Sequence, residues 1–190
     1  MAINDLKMIG TFSELSADQL HVSIYKSLDK VAKRQAMLTQ FSHYIVENMK
    51  FYHPCWLVAF KRTCERGLFP PKAERVYAFI DAVSGYRTEI DAFPSLTDNV
   101  DHSVPIVEAV IQNERILRPY MVDLENYWNR QYVGKRPSYD REEIILAYEP
   151  MILVSLRIGE FHRSIVLDGV TGETREERAL KWDQDDYHKF

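Results

Sequence analysis

Apolar positions between Thr11 and His53 recur at the spacing of one helix face. Ile24, Leu28, Val31, Gln35, Leu38, Ser42, Ile45, Met49 and Tyr52 follow an unbroken 4-3-4-3 series in which only Gln35 and Ser42 are polar. Gly10 and Pro54 close the stretch, and neither residue type occurs inside it. Ser16-Ala17-Asp18-Gln19 has the form of a capping box, with a hydroxyl for an orphan N–H and a Gln three residues on. The pattern predicts one helix from about Ala17 to about Phe51. At 1.5 Å per residue it would span roughly 50 Å. A compact chain of this length is about 40 Å across. Such a helix has to run the full length of the body, kink, or project from it.

Further along, Pro54 to about Arg66 reads as a second helix that Gly67 ends, with Trp56, Leu57, Phe60 and Cys64 on its buried side. Lys72 to Ser84 reads as a third, with Val76, Phe79, Ile80 and Val83 inward and Gly85 as the stop. Ser103 caps a fourth, Pro105 lies in its first turn, and Val107, Val110, Glu114, Leu117, Met121, Leu124, Trp128 and Gln131 repeat a helical spacing as far as Gly134. Pro119 should kink or split it. Tyr139 to about Tyr148 follows as another helix.

Met151 to Val170 supports two readings. Met151, Val154, Ile158, Phe161 and Ile165 fit a helical stripe, which is preferred. The crowding of Ile, Val and Leu, with Gly159-Glu160 and Asp168-Gly169 as two-residue turns, fits a hairpin. The fold expected is all-α: a bundle of five to seven helices around one long N-terminal helix, with a small β-hairpin near 151–170 as the variant. Residues 1–172 would form a single helical domain and 173–190 a charged C-terminal tail.

Composition narrows the class. The 190 residues are 46% hydrophobic and 27% charged, with eleven Tyr, nine Phe and three Trp, values of an ordinary soluble globular protein. A net charge of -4 does not support bulk electrostatic capture of nucleic acid or of an anionic membrane, although it leaves room for a local basic patch. The longest apolar runs, Cys55 to Phe60 and Ile144 to Ala147, are far short of a membrane span. Two cysteines and no signal-peptide pattern at the start suggest a cytoplasmic protein.

The chemistry-bearing residues are sparse. His43 and Glu47, four apart, fall opposite the apolar stripe and read as surface. Cys55 would sit at a helix N-terminus beside His53, the place where a thiol pKa is lowered, and Cys64 would be a core residue on the opposite side of that helix. No Glu-x-x-His pair, phosphate loop, His-Glu-x-x-His or Gly-x-Ser-x-Gly occurs. No catalytic residue, metal ligand or cofactor is therefore assigned. Two groups combine cations with aromatic or turn residues. Lys61, Arg62, Arg66, Lys72 and Arg75 surround Gly67 to Pro71, and Arg130, Lys135, Arg136 and Arg141 are interleaved with Trp128, Tyr132 and Tyr139. Acidic neighbours, among them Glu65, Glu74, Asp140 and Glu142, blunt both.

The leading expectation is a non-catalytic protein–protein interaction module (an adaptor, assembly subunit or inhibitor-type partner) that binds another protein or itself, its protruding helix the docking element. A second is a nucleic-acid-binding protein using the basic and aromatic groups at 61–75 and 128–141, with Trp128, Arg130, Tyr132, Lys135, Arg136, Lys61, Arg62 and Arg66 as binding residues. A third is a small-molecule or metal-dependent enzyme around His53 and Cys55. No membrane association is expected.

Overall fold

A computed structural model describes residues 6–13, 16–36 and 38–175. In chain order the elements are β1 (Lys7–Ile9), α1 (Ala17–Ser27), α2 (Lys30–Gln35), a 3-10 turn (Leu38–Tyr44), β2 (Ile45–Arg66), β3 (Phe69–Asp81), β4 (Arg87–Ile90), β5 (Leu96–Thr97), α3 (Glu114–Asn129), β6 (Ser138–Ile158) and β7 (Phe161–Asp168). The strands form a seven-stranded sheet in the order β4-β3-β2-β6-β1-β5, with β7 paired to β6. The all-α bundle is therefore overturned: the protein is built mainly of strands.

The long N-terminal helix is the first correction. Its start holds. Ser16 caps α1 through a complete capping box with Gln19, and Leu20, Ile24 and Leu28 are buried. The helix stops at Ser27 because Leu28 turns extended and Asp29 caps a new helix, its carboxylate accepting from the N–H groups of Val31 and Ala32 at 2.8 Å. Such a cap is worth about 1 kcal/mol and competes with helix continuation at the same residue. Past this break the series no longer marks one face: Val31 and Met49 are exposed, whereas Ala32 and Phe41 are buried.

The second and third expected helices are the strands β2 and β3. All ten residues from Phe51 to Phe60 are buried. Six of them, Cys55 to Phe60, form one apolar run covered on both faces, and such a run carries no periodicity of its own. Pro54 lies just before the pairing with β3 begins at Cys55↔Asp81, so its missing N–H costs no ladder bond to β3. Gly67 ends no helix: it takes a φ of +62° in the two-residue turn between Arg66 and Phe69. With no non-Gly residue at positive φ, this is the Gly-first pattern of a type II′ hairpin turn.

The same turn chemistry decides Met151 to Val170. Gly159, with a φ of 60°, and Glu160 join Ile158 to Phe161, and β6 pairs with β7 from there to Met151↔Asp168. The hairpin variant holds and the preferred helix does not. Tyr139–Tyr148, read as helix, belongs to β6. The expected Ser103–Gly134 helix shrinks to α3, capped by Asn113 and passing through Pro119.

The chain forms two compact units, and β2 and β6 contribute residues to both. The first takes the described residues up to His53, Leu96–Val107 and those from Tyr148 onward. Its core sets Ile24, Leu28 and Phe41 against Ile152, Val154, Leu156 and Ile158, alternate residues on one face of β6. The second takes Pro54–Ser95 and Glu108–Ala147. There the α3 stripe of Leu117, Met121, Leu124 and Trp128 covers Trp56, Val58 and Phe60 of β2 and Val76, Ala78 and Ile80 of β3. Helical and alternating periods meet along this layer, which is why it buries a continuous core. The tail expected at 173–190 lies outside the described residues beyond Arg175; Thr174 makes a bridge to Leu167.

Candidate binding face

Beyond Phe60 and before Val76, β2 and β3 leave the core and continue as a ribbon whose residues are exposed or half-buried. It spans Lys61 to Arg75, with Gly67-Leu68 at its tip. The segment Arg130 to Ser138, between α3 and β6, is held to it in two places. Lys135 pairs with Glu65. The Arg62 guanidinium lies 5.9 Å from the Tyr132 ring centroid, and the Cys64 thiol donates to Tyr132 Oη at 3.8 Å. Two basic groups more than fifty residues apart in the chain are thus brought together in the second unit.

Underneath is an aromatic floor. Trp128 is fully buried, stacked on Tyr139 with centroids 5.5 Å apart and edge-on to Phe60 at 5.3 Å. Its Nε1–H meets no hydrogen-bond acceptor among the described residues. Tyr139 donates weakly to Asn129 Oδ1 at 3.5 Å. Burial pushes the Tyr139 phenol up to about 12, and burial also raises Tyr132, aided by the Cys64 contact. Both rings are held neutral at ordinary pH.

Charge on the face is uneven. Arg62 donates to Glu74 Oε1 at 2.9 Å, and Lys72 reaches Glu74 Oε2 at 3.0 Å. These two hydrogen bonds, that from Lys72 the larger influence, hold the Glu74 carboxyl below its ordinary value. Burial lowers the Arg62 guanidinium, but Glu74 and its other neighbours outweigh it and leave a net rise. Arg75 pairs with Glu142 at 2.7 Å and Arg141 with Glu125 at 2.9 Å. Glu65 and Glu74 are thus both neutralised, while Lys61, Arg66, Arg130 and Arg136 have no carboxylate partner among the described residues. Residues 61–75 and 130–142 together carry a net charge of +5, against -4 for the whole chain. Lys61 lies directly across the ribbon from Arg75, whose own charge is met by Glu142.

Each residue expected to bind has a definite place. Lys61, Arg66, Lys135 and Arg136 are exposed, Arg130 is the exposed C-cap of α3, and Arg62 and Tyr132 are half-buried. Trp128 lies beneath the face rather than on it. Sequence reasoning missed Leu68, Phe69 and Val133, exposed to 102%, 70% and 106%. Their signal was present, since Gly67-Leu68-Phe69-Pro70-Pro71 puts an apolar pair among turn residues where no core awaits it.

The alternative centre is corrected as well. His53 and Cys55 are buried in β2, and no helix begins there to lower the thiol pKa. Cys64, expected in the core, is half-buried, and Cys55 is the core residue. Among the described residues no group of three His, Cys, Asp or Glu is placed to hold a metal ion. His43 and Glu47 are exposed, His43 in the 3-10 turn and Glu47 in β2. Among the described residues no helix is long and apolar enough to cross a membrane. Comparison with family models, curated proteins and solved structures returns no match for the chain.

Proposed function

We propose that the protein is a binding protein that holds nucleic acid on the β2–β3 ribbon and the Arg130–Ser138 segment. The observation that carries this reading is the contact between the two basic groups, which together carry a net charge of +5 in a chain of net charge -4. Phosphate recognition is a contest between cation density and local carboxylates, and here the carboxylates of the ribbon are already paired. A two-stranded ribbon is also one of the few elements slim enough to be set into a groove of a duplex. Docking through a protruding helix loses its warrant, because α1 has 11 residues and α2 has 6.

Four cations without carboxylate partners imply about four phosphates neutralised. Counterion release then gives log K against log salt a slope of about -3 to -4. Fluorescence anisotropy of a labelled 20-base-pair duplex between 50 and 200 mM salt measures it. Arg66→Glu with Arg136→Glu should weaken binding at least tenfold and flatten the slope. Salt-independent binding, no binding at 50 mM, or unchanged affinity in the double variant refutes the reading.

A further inference from the structure

The tip of the ribbon has a feature that phosphate contacts do not use. Leu68 and Phe69 stand at the turn with 102% and 70% of their surface exposed, and Val133 is exposed to 106% on the segment that Lys135 ties to the ribbon. In a solvated hairpin, turn positions go to polar residues, since an exposed leucine or phenylalanine there buries nothing. Pro70 and Pro71 follow at once. They have no N–H, so the start of β3 offers few donors to a passing strand edge, and their fixed φ stiffens the base of the tip. The apolar pair is thus carried on a rigid point rather than in a patch. Arg66, which donates to the Pro70 carbonyl at 3.3 Å, and Lys72 bracket it.

We propose that Leu68 and Phe69 act as an apolar wedge that enters between adjacent base pairs of a duplex and kinks it. The inference rests on the reading of this face as a nucleic-acid surface and names what its tip does there. The charge pattern selects the occupant. An apolar point flanked by Arg66 and Lys72, with Lys61 further down the ribbon, is complementary to a stack of bases framed by phosphates: the bases receive Leu68 and Phe69, and the phosphates receive Arg66 and the other cations without carboxylate partners. Leu, Phe and Pro are among the side chains that open base steps in this way. A two-stranded ribbon is broader than the roughly 6 Å minor groove of straight duplex, and a kink widens that groove to admit it. Flexible pyrimidine–purine steps such as TA are the ones expected to be opened.

The test uses the full chain and 20-base-pair duplexes bearing 2-aminopurine beside a central TA step, titrated to saturation and followed by anisotropy and by 2-aminopurine emission. The wild type should raise the emission at least twofold, with a matching end-to-end energy-transfer change for a bend. Leu68→Ser with Phe69→Ser should remove the emission rise in the saturated complex. Saturable, salt-sensitive binding with no emission or bending change overturns the wedge and leaves the basic face standing. Binding to single strands alone also overturns it, because no base step is then opened. Absence of nucleic-acid binding together with Phe69-dependent sedimentation on phosphatidylserine vesicles, or with capture by an acidic protein, overturns both readings.

Discussion

Phe60 is the side chain on which the second unit's stability is most directly testable. It has no exposed surface, sits edge-on to Trp128 at 5.3 Å and 85°, and lies edge-on to Tyr139 at 6.4 Å and 87°. Phe60→Ala removes most of a ring from a close-packed layer between α3 and the sheet. The lost transfer energy and the remaining cavity together cost about 3–5 kcal/mol, against a total stability of about 5–15 kcal/mol for a domain. Phe60→Leu keeps most of the volume and loses two edge-to-face pairs, each worth about 0.5–1.5 kcal/mol beyond area, so about 1–3 kcal/mol should go. A cycle of Phe60→Leu and Trp128→Leu, each arm of which removes a ring, should return a coupling of about 0.5–1.5 kcal/mol, since the rings touch. Urea unfolding followed by tryptophan emission and far-ultraviolet circular dichroism reads these values. With a slope near 2 kcal/mol per molar urea, Phe60→Ala lowers the midpoint by about 1.5–2.5 M. A cost below about 1 kcal/mol, or a coupling of zero, would show that Phe60 does not seal this layer against α3 and would refute the packing described.

Other expectations follow from single contacts. A Cβ on Gly169 would stand 2.7 Å from the Phe12 ring and 2.8 Å from the Pro150 carbonyl oxygen. Gly169→Ala should therefore lower stability by about 1–3 kcal/mol, and a thermal midpoint unchanged from wild type would contradict the close approach. Burial raises the Asp168 carboxyl, but the N–H groups of Thr171 and Val170 and the Arg175 side chain outweigh it, so its pKa is depressed in the fold. Its contribution is thus present above the ordinary value of 3.8 and is lost as pH falls below that through the folded value. Asp168→Asn should cost about 1–3 kcal/mol at neutral pH and remove part of the acid sensitivity, and an identical acid profile in wild type and variant would be a failure. Tyr139, at about 12, keeps its proton in the fold after the unfolded phenol, near 10, has lost its own. Stability should fall as pH rises through that window, and Tyr139→Phe should remove a late-titrating phenol from an absorbance titration at about 295 nm; loss of an early-titrating one instead would refute its burial.

Parts of this protein are decided within a few residues. The Ser16–Gln19 capping box, the Leu20-Ile24-Leu28 face of α1, the Leu117-Met121-Leu124-Trp128 stripe of α3 and the Gly159-Glu160 turn are all legible locally, because their partners lie in the same turn or the next. The basic and aromatic groups were legible as two lists. Periodicity misled where apolar residues run together. Cys55 to Phe60 and Ile144 to Tyr148 suit a helix flank and a central strand equally well, and the choice rests on whether neighbours exist to take the backbone N–H and C=O groups. Those neighbours lie beyond the window of a helical turn: β3 folds back to set Asp81 against Cys55, and β6 begins only at Ser138. The 4-3-4-3 series failed for the same reason, since Asp29 ended α1 locally while distant pairing claimed Ile45 onward as strand.

By itself, then, the sequence determined the capped start of α1, the apolar stripe of α3 and the membership of the two basic and aromatic groups, the first two set by short-range capping and hydrophobicity. Only the tertiary structure decided that β2 and β3 are strands, that Lys61–Arg66 and Arg130–Arg136 come into contact, and that Leu68 and Phe69 end exposed on a point. Strand pairing satisfies backbone groups through contacts across long sequence separations, and no local window of residues carries that information.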